Sequence, residues 1–124
     1  MMTPIRQGEV FWVDLGIPVG AQPGYRHPVV VVQNDALNES RLGTVLVCAV
    51  MSNPRHGKAP GNVVLRADEG GLGRACVVTV SHVLTLDKSR LVEHVGSLSL
   101  GRVRQILDGI HLVLEPAEAE EEMP

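Results

Sequence analysis

The chain has 124 residues, 44% of them apolar, and a formal net charge of −3, which suits one globular domain and leaves no room for a second core. No apolar run approaches the ~20 residues that span a bilayer, and the N-terminal Met1-Met2-Thr3-Pro4-Ile5-Arg6 lacks the apolar stretch of a signal peptide. A membrane partner is therefore not expected, and a cytoplasmic location is. The charge is uneven: Glu115, Glu118, Glu120, Glu121 and Glu122 crowd the last ten residues, and removing those five charges turns −3 into +2 for the body. Residues 115–124 read as an acidic, disordered tail on a mildly basic domain that a phosphate backbone could approach.

Gln7–Leu15 predicts the first strand, with Val10 and Trp12 facing one way and Phe11, Val13 and Leu15 the other. Residues 16–27 hold Gly16, Pro18, Gly20, Pro23 and Gly24, and a loop so long and so rich in breakers points to function. Pro28–Asn34 contains Val29 to Val32, a β-branched run expected to be buried on both faces. A polar turn from Asn38 to Gly43 separates it from a second buried strand at Thr44–Val50. Ser52–Gly61 is a loop carrying Arg55, His56 and Lys58, and Asn62–Arg66 is a short strand. A glycine-rich turn at Glu69–Gly73 precedes a third apolar strand at Cys76–Val83. Asp87–Arg90 fits one helical turn, and Leu91–Leu98 fits an edge strand.

One helix follows. Ser99 is its expected N-cap, Leu100, Val103, Ile106, Leu107, Ile110, Leu112 and Leu114 its apolar stripe, and Pro116 its stop. Many short strands and one terminal helix predict a small antiparallel barrel or sheet rather than a parallel α/β sheet. Phe11, Trp12 and Tyr25 are the whole aromatic complement, so the core is aliphatic. Cys48 and Cys76 both lie in apolar runs and are expected as buried thiols rather than a disulfide. With no CxxC or HxxxH spacing, no zinc site is expected.

Several segments in fixed order carry a resemblance. Arg6-Gln7-Gly8-Glu9-Val10-Phe11 and Val13-Asp14-Leu15, then His27-Pro28 with Val29–Val32 and Gln33-Asn34-Asp35, then Gly61–Leu65 with Glu69-Gly70-Gly71-Leu72, then Leu86–Leu91 and Gly96–Ser99 are together similar to the MazF/PemK family of toxins. The likeness runs from Arg6 to about Leu114. It departs in three places: Gln7 is inserted into the family's Arg-Gly pair, His27 stands before Pro28 where most members have arginine, and Met51 stands in the place of the family's threonine.

The resemblance implies a mainly β domain with a C-terminal helix, an SH3-like barrel over residues 1–114, that acts as a homodimer. It implies a sequence-selective endoribonuclease that cleaves single-stranded RNA through the RNA's own 2′-hydroxyl, leaves a 2′,3′-cyclic phosphate and a 5′-hydroxyl, needs no metal or cofactor, and is bound by a MazE/PemI-like antitoxin. Such a reaction needs a base, an acid and donors to the phosphoryl oxygens. His27 is a suitable proton acceptor, since histidine titrates near neutrality (about 6.5 in model peptides). Arg26 would supply fixed charge, and Ser52 the hydroxyl that Met51 does not, because a thioether donates nothing. Tyr25, Asn53, Arg55, Lys58 and His82 are the expected RNA contacts, Tyr25 by stacking on a base. Ordinary roles compete at each position: a packing histidine at 27 or 82, a strand-end serine at 52, a solvated charge run at 55–58. At the level of the whole chain, Met51 leaves open a catalytically impaired member that only binds antitoxin or RNA.

Overall fold

The structure is a computed structural model and describes residues 4–116. The strands are β1 (Glu9–Asp14), β2 (Arg26–Val31), β3 (Thr44–Met51), β4 (Val63–Leu65), β5 (Cys76–Asp87) and β6 (Glu93–Ser97). A single helical turn, α1 (Asp35–Asn38), follows β2, and the long helix α2 (Leu100–Leu114) closes the chain. Two 3-10 turns, Pro54–Lys58 and Lys88–Arg90, complete it. Of the expected acidic tail, Glu115 and Pro116 are exposed, and the remainder lies outside the described residues.

All six strands form one antiparallel sheet in the order β4-β5-β3-β2-β1-β6. The sheet is strongly curled. Strands ~4.8 Å apart would set its two outer strands ~24 Å from each other if it were flat. Yet Val63 and Leu65 of β4 pack in the same cluster as Val10, Leu98 and, from β6, Val95. The expected barrel is thus a half-closed one, with β4 and β6 facing each other across a shared core without hydrogen bonds between them.

Both faces of the central strands are covered, as the valine run requires. Val30 and Val32 join the cluster inside the curl, and Val29 and Val31 join a second cluster with Phe11, Val13, Val45, Val47, Leu86 and Leu91. Phe11 is the only aromatic residue that is fully buried, so the core is indeed aliphatic. Cys48 and Cys76 are free and buried, and burial pushes the Cys48 thiol up to about 12.

Three local expectations need correction. The second strand starts at Arg26, two residues earlier than its apolar run, because Val13 and Asp14 continue the β1 ladder and pair with His27 and Arg26. Asn38 is a buried residue of α1 rather than part of a polar turn. It donates to the Gln33 carbonyl at 2.8 Å and accepts from Gln33 Nε2 at 3.0 Å, and α1's carbonyl end is satisfied by Lys88 Nζ. The stripe on α2 is narrower than expected: Val103, Ile106 and Gly109 are buried, whereas Leu100, Leu112 and Leu114 are exposed. Gly109 explains this. A Cβ there would stand within van der Waals overlap of the Gly61 carbonyl and 2.9 Å from Val80 Cγ1, so the helix meets the sheet backbone to backbone along one thin line. Ser99 caps α2 as expected, accepting from Arg102 N.

The N-terminal turn of α2 is fastened by charge. Arg102 donates through Nε and Nη2 to both oxygens of Glu69, each at 2.8 Å, and Glu69 also accepts from the Arg66 backbone N–H at 2.9 Å. These donors hold the Glu69 carboxyl down at about 2. They tie the helix to the 66–73 turn, whose far end forms one wall of the site described next.

A candidate phosphate-binding cavity

The loop joining β1 to β2 is closed at its base by backbone bonds. Leu15 N donates to Tyr25 O at 2.7 Å, Tyr25 N to Gly16 O at 2.5 Å, and Gly16 N to Asp14 Oδ1 at 2.8 Å. Gly24 packs against Pro18, where no Cβ would fit, and Tyr25 takes φ 56° to carry the chain into β2. This conformation presents the Gly24 carbonyl to His27, whose Nδ1 lies 2.6 Å from it. A carbonyl only accepts, so Nδ1 carries the proton and Nε2 is the bare nitrogen of the neutral ring.

Arg26 is held differently. Its Nη1 and Nη2 donate to the two oxygens of Glu93 on β6 at 2.8 and 2.5 Å, and its guanidinium lies 4.8 Å from the centre of the Trp12 ring. Trp12 pairs with Pro28 on one side and Glu93 on the other, so β1 brings together two residues 67 apart in sequence. The pairing raises Arg26 and lowers Glu93 from their ordinary values.

Between these strands, the end of β3 and the start of β5 lies a cavity of about 280 Å³, bounded by Trp12, Arg26, His27, Pro28, Val50, Ser52, Leu72, Arg74 and Cys76. No carboxylate is among its walls. The three expected catalytic residues, Arg26, His27 and Ser52, thus meet at one cavity. They do not meet as a loop would present them. Arg26 and His27 are consecutive on a strand, so the pleat turns Arg26 and Pro28 toward one face and His27 toward the face of Val13 and Val29. His27 nonetheless lines the cavity. Continuing the Val29–Ala49 register by two residues sets His27 across from Met51, which is itself not a wall of the cavity.

The expected RNA contacts lie apart from this cavity. Tyr25 is 65% exposed on the loop beside it. Asn53 uses its Oδ1 to accept from Arg55 N at 3.0 Å and so caps the Pro54–Lys58 turn. Arg55 and Lys58 are exposed, and among the described residues neither has an ion-pair partner. His82 is half-buried with Nδ1 3.2 Å from Thr79 Oγ1, whose own proton goes to Ala49 O. Burial, then the neighbouring His56, lowers its pKa, which favours the neutral ring. Trp12, Leu72, Arg74 and Glu93 were not singled out by sequence. Arg74 was the most legible of them, a basic residue between a glycine-rich turn and an apolar strand, but no local pattern linked it to Ser52. Among the described residues, no group of three or more His, Cys, Asp or Glu side chains could hold a metal ion, and no helix is long and apolar enough to cross a membrane.

Comparison with known proteins agrees with this architecture. The chain is 40% identical over 111 residues to the endoribonuclease MazF6 of Mycobacterium tuberculosis, covering 90% of this chain and 97% of the relative. It is 31% identical over 110 residues to the endoribonuclease MazF of Staphylococcus saprophyticus, covering 89% and 91%. The crystal structure of MazF from Deinococcus radiodurans superposes with a TM-score of 0.73 at 25% identity, covering 88% of this chain and 94% of that one. A MazE-MazF crystal structure from the same organism superposes with a TM-score of 0.64 at 26% identity, covering 90% and 95%. Residues 6–114 match the family described as PemK-like, MazF-like toxin of type II toxin-antitoxin system, and the chain belongs to that family.

Proposed function

We propose that this protein is an endoribonuclease toxin that cleaves single-stranded RNA with the RNA's own 2′-hydroxyl as nucleophile. The observation that carries the reading is the cavity bordered by His27, Ser52 and two arginines, of which Arg26 is paired with Glu93 and Arg74 is not, with no carboxylate among its walls, because a phosphodiester is an anion and such walls suit it. His27 Nε2 accepts the 2′-hydroxyl proton, with the ring held in the required tautomer by the Gly24 carbonyl. The 2′-oxygen then bonds to phosphorus and the bond to the 5′-oxygen breaks. In-line displacement puts that leaving oxygen on the far side of the phosphorus from His27, so its proton comes from water. Ser52 donates to a phosphoryl oxygen in the role that a thioether at position 51 does not fill. The products are a 2′,3′-cyclic phosphate and a 5′-hydroxyl.

The same reading makes the protein a cytoplasmic homodimer that a MazE/PemI-like antitoxin silences, with cleavage selective for short sequences. The relatives at 40% and 31% identity are named as endoribonucleases and lend no support to the binding-only alternative that Met51 raised. The test is mass spectrometry of a long unstructured RNA after incubation with the purified protein in EDTA. Fragments ending in a cyclic phosphate are expected. Intact RNA, or cutting that appears only when magnesium is restored, would overturn the mechanism.

A further inference from the structure

We propose that Arg74 is the residue through which the cavity binds an RNA phosphate, an assignment that rests on the endoribonuclease reading. Two arginines bound the cavity, and they are not equivalent. Arg26 is committed: both of its terminal nitrogens are on Glu93, and its flat face is on Trp12. The pair it forms is neutral as a unit, so it shapes the wall without leaving a net charge for a ligand. Arg74 borders the same cavity from the segment between the Gly70–Gly73 turn and β5. It is exposed, and among the described residues it has neither an ion-pair partner nor a side-chain hydrogen bond. Its charge is nonetheless felt inside, where it works against the upward push of burial on the Cys76 thiol.

The geometry favours a phosphate. Arg74 shares the cavity with the Ser52 hydroxyl and with no acid, and a guanidinium with five free donors matches two phosphoryl oxygens at once. Its backbone is well held. The 66–73 turn is tied to α2 by Glu69 and Arg102. It is also closed against β6, since Gly96 packs on the Gly70 carbonyl so tightly that a Cβ would lie 2.5 Å from it. With the stem already held, only the side chain has to be ordered around a ligand.

The assignment is tested by binding rather than cutting. The probe is a single-stranded RNA analogue with 2′-O-methyl groups throughout, which lacks the nucleophile and stays intact. Its affinity for the dimeric, full-length protein is measured against salt concentration. One phosphate contact on a single strand contributes a slope of about 0.7 in log K against log salt. Arg74→Ala is expected to weaken binding at low salt and make the slope shallower by about that amount, for every sequence tested. Arg74→Lys is expected to restore the slope. Arg104→Ala, which removes an exposed cation on α2 away from the cavity, is expected to leave it unchanged. An Arg74→Ala protein with the parent's slope overturns the assignment, as does an equal loss in Arg104→Ala, which would mean that only overall charge matters. Failure of the parent to cleave natural RNA would count against the endoribonuclease reading while leaving the binding result to stand on its own.

Discussion

Position 51 is where the chain can be pushed back toward the chemistry its relatives suggest. The β2–β3 ladder ends at the Val29–Ala49 pair; extended by two residues it would set residue 51 across from His27, and cross-strand neighbours have Cβ atoms about 5 Å apart. A threonine hydroxyl there would stand beside the proposed base and within reach of the phosphate that His27 works on. Met51 is half-buried rather than packed in either core cluster, so replacing it should cost little stability. A single oxyanion-type donor contributes roughly 10²–10³ in rate. If Ser52 already supplies part of that, Met51→Thr should still raise the first-order cleavage rate of a short fluorogenic RNA by about tenfold or more, the remainder of that range. Ser52→Ala in the parent should lose about a hundredfold, the low end for one donor. In the Met51→Thr background the same serine substitution should lose much less, because two hydroxyls serving one oxygen are not additive. The reasoning fails if Met51→Thr leaves the rate unchanged, or if the two substitutions add independently; either result would place the phosphate away from the His27 edge of β2.

Removing the base itself is more severe: His27→Gln should lower the cleavage rate by about 10²–10⁴ without lowering affinity for a non-cleavable RNA, and equal losses in both would mean that His27 only binds. The Glu69–Arg102 pair makes a pH prediction. With the folded carboxyl at about 2 and its ordinary value 4.5, the pair's stabilisation is fully present above pH 4.5 and is lost as pH falls toward 2. At ~1.4 kcal/mol per pKa unit this is at most about 3 kcal/mol, and about 2 after allowing for the partly exposed side chains. Glu69→Gln should lower Tm at pH 7 by about 8 °C, at roughly 4 °C per kcal/mol, and the gap to the parent should narrow as pH falls below 4.5 and close only near pH 2; a gap independent of pH would disprove the linkage. Gly109→Ala should also lower Tm, although alanine gains about 1 kcal/mol in an open helix. The added methyl collides with the Gly61 carbonyl, a backbone atom that cannot step aside, and overpacking costs about 1–3 kcal/mol or more. A rise in Tm would show that α2 lifts from the sheet freely.

Periodicity and breakers located nearly every element because those signals are local. The Val29–Val32 run is buried on both faces, Ser99 caps α2, and the glycines of the Glu69–Gly73 turn sit at positive φ where a side chain would be strained. What the pattern missed depends on contacts between distant residues. The apolar stripe of α2 looked wide because hydropathy cannot register that Gly109 meets Gly61 backbone to backbone and so narrows the buried face. The first loop looked two residues longer than it is because Arg26 and His27 are polar; their strand character comes from Val13 and Asp14 on the neighbouring strand.

That two-residue extension changes what the site can do. On a loop, Arg26 and His27 could both turn to one phosphate. On a strand, the pleat separates them, and each is then fixed by its own partner: Gly24, three residues back and presented by the strained Tyr25 corner, for His27, and Glu93, 67 residues on and across β1, for Arg26. With Arg26 neutralised in this way, the proposed phosphate site takes its positive charge from another element. The curl of the sheet brings one, carrying Arg74 from the entry to β5 to the cavity that Ser52 and His27 also border. In the proposed mechanism the chemistry is therefore distributed over three segments, residues 26–27, 52 and 74. The alignment of those segments depends on a half-closed sheet whose outer strands share one core, so a substitution that opens the curl should impair RNA binding even where it leaves every one of these side chains in place.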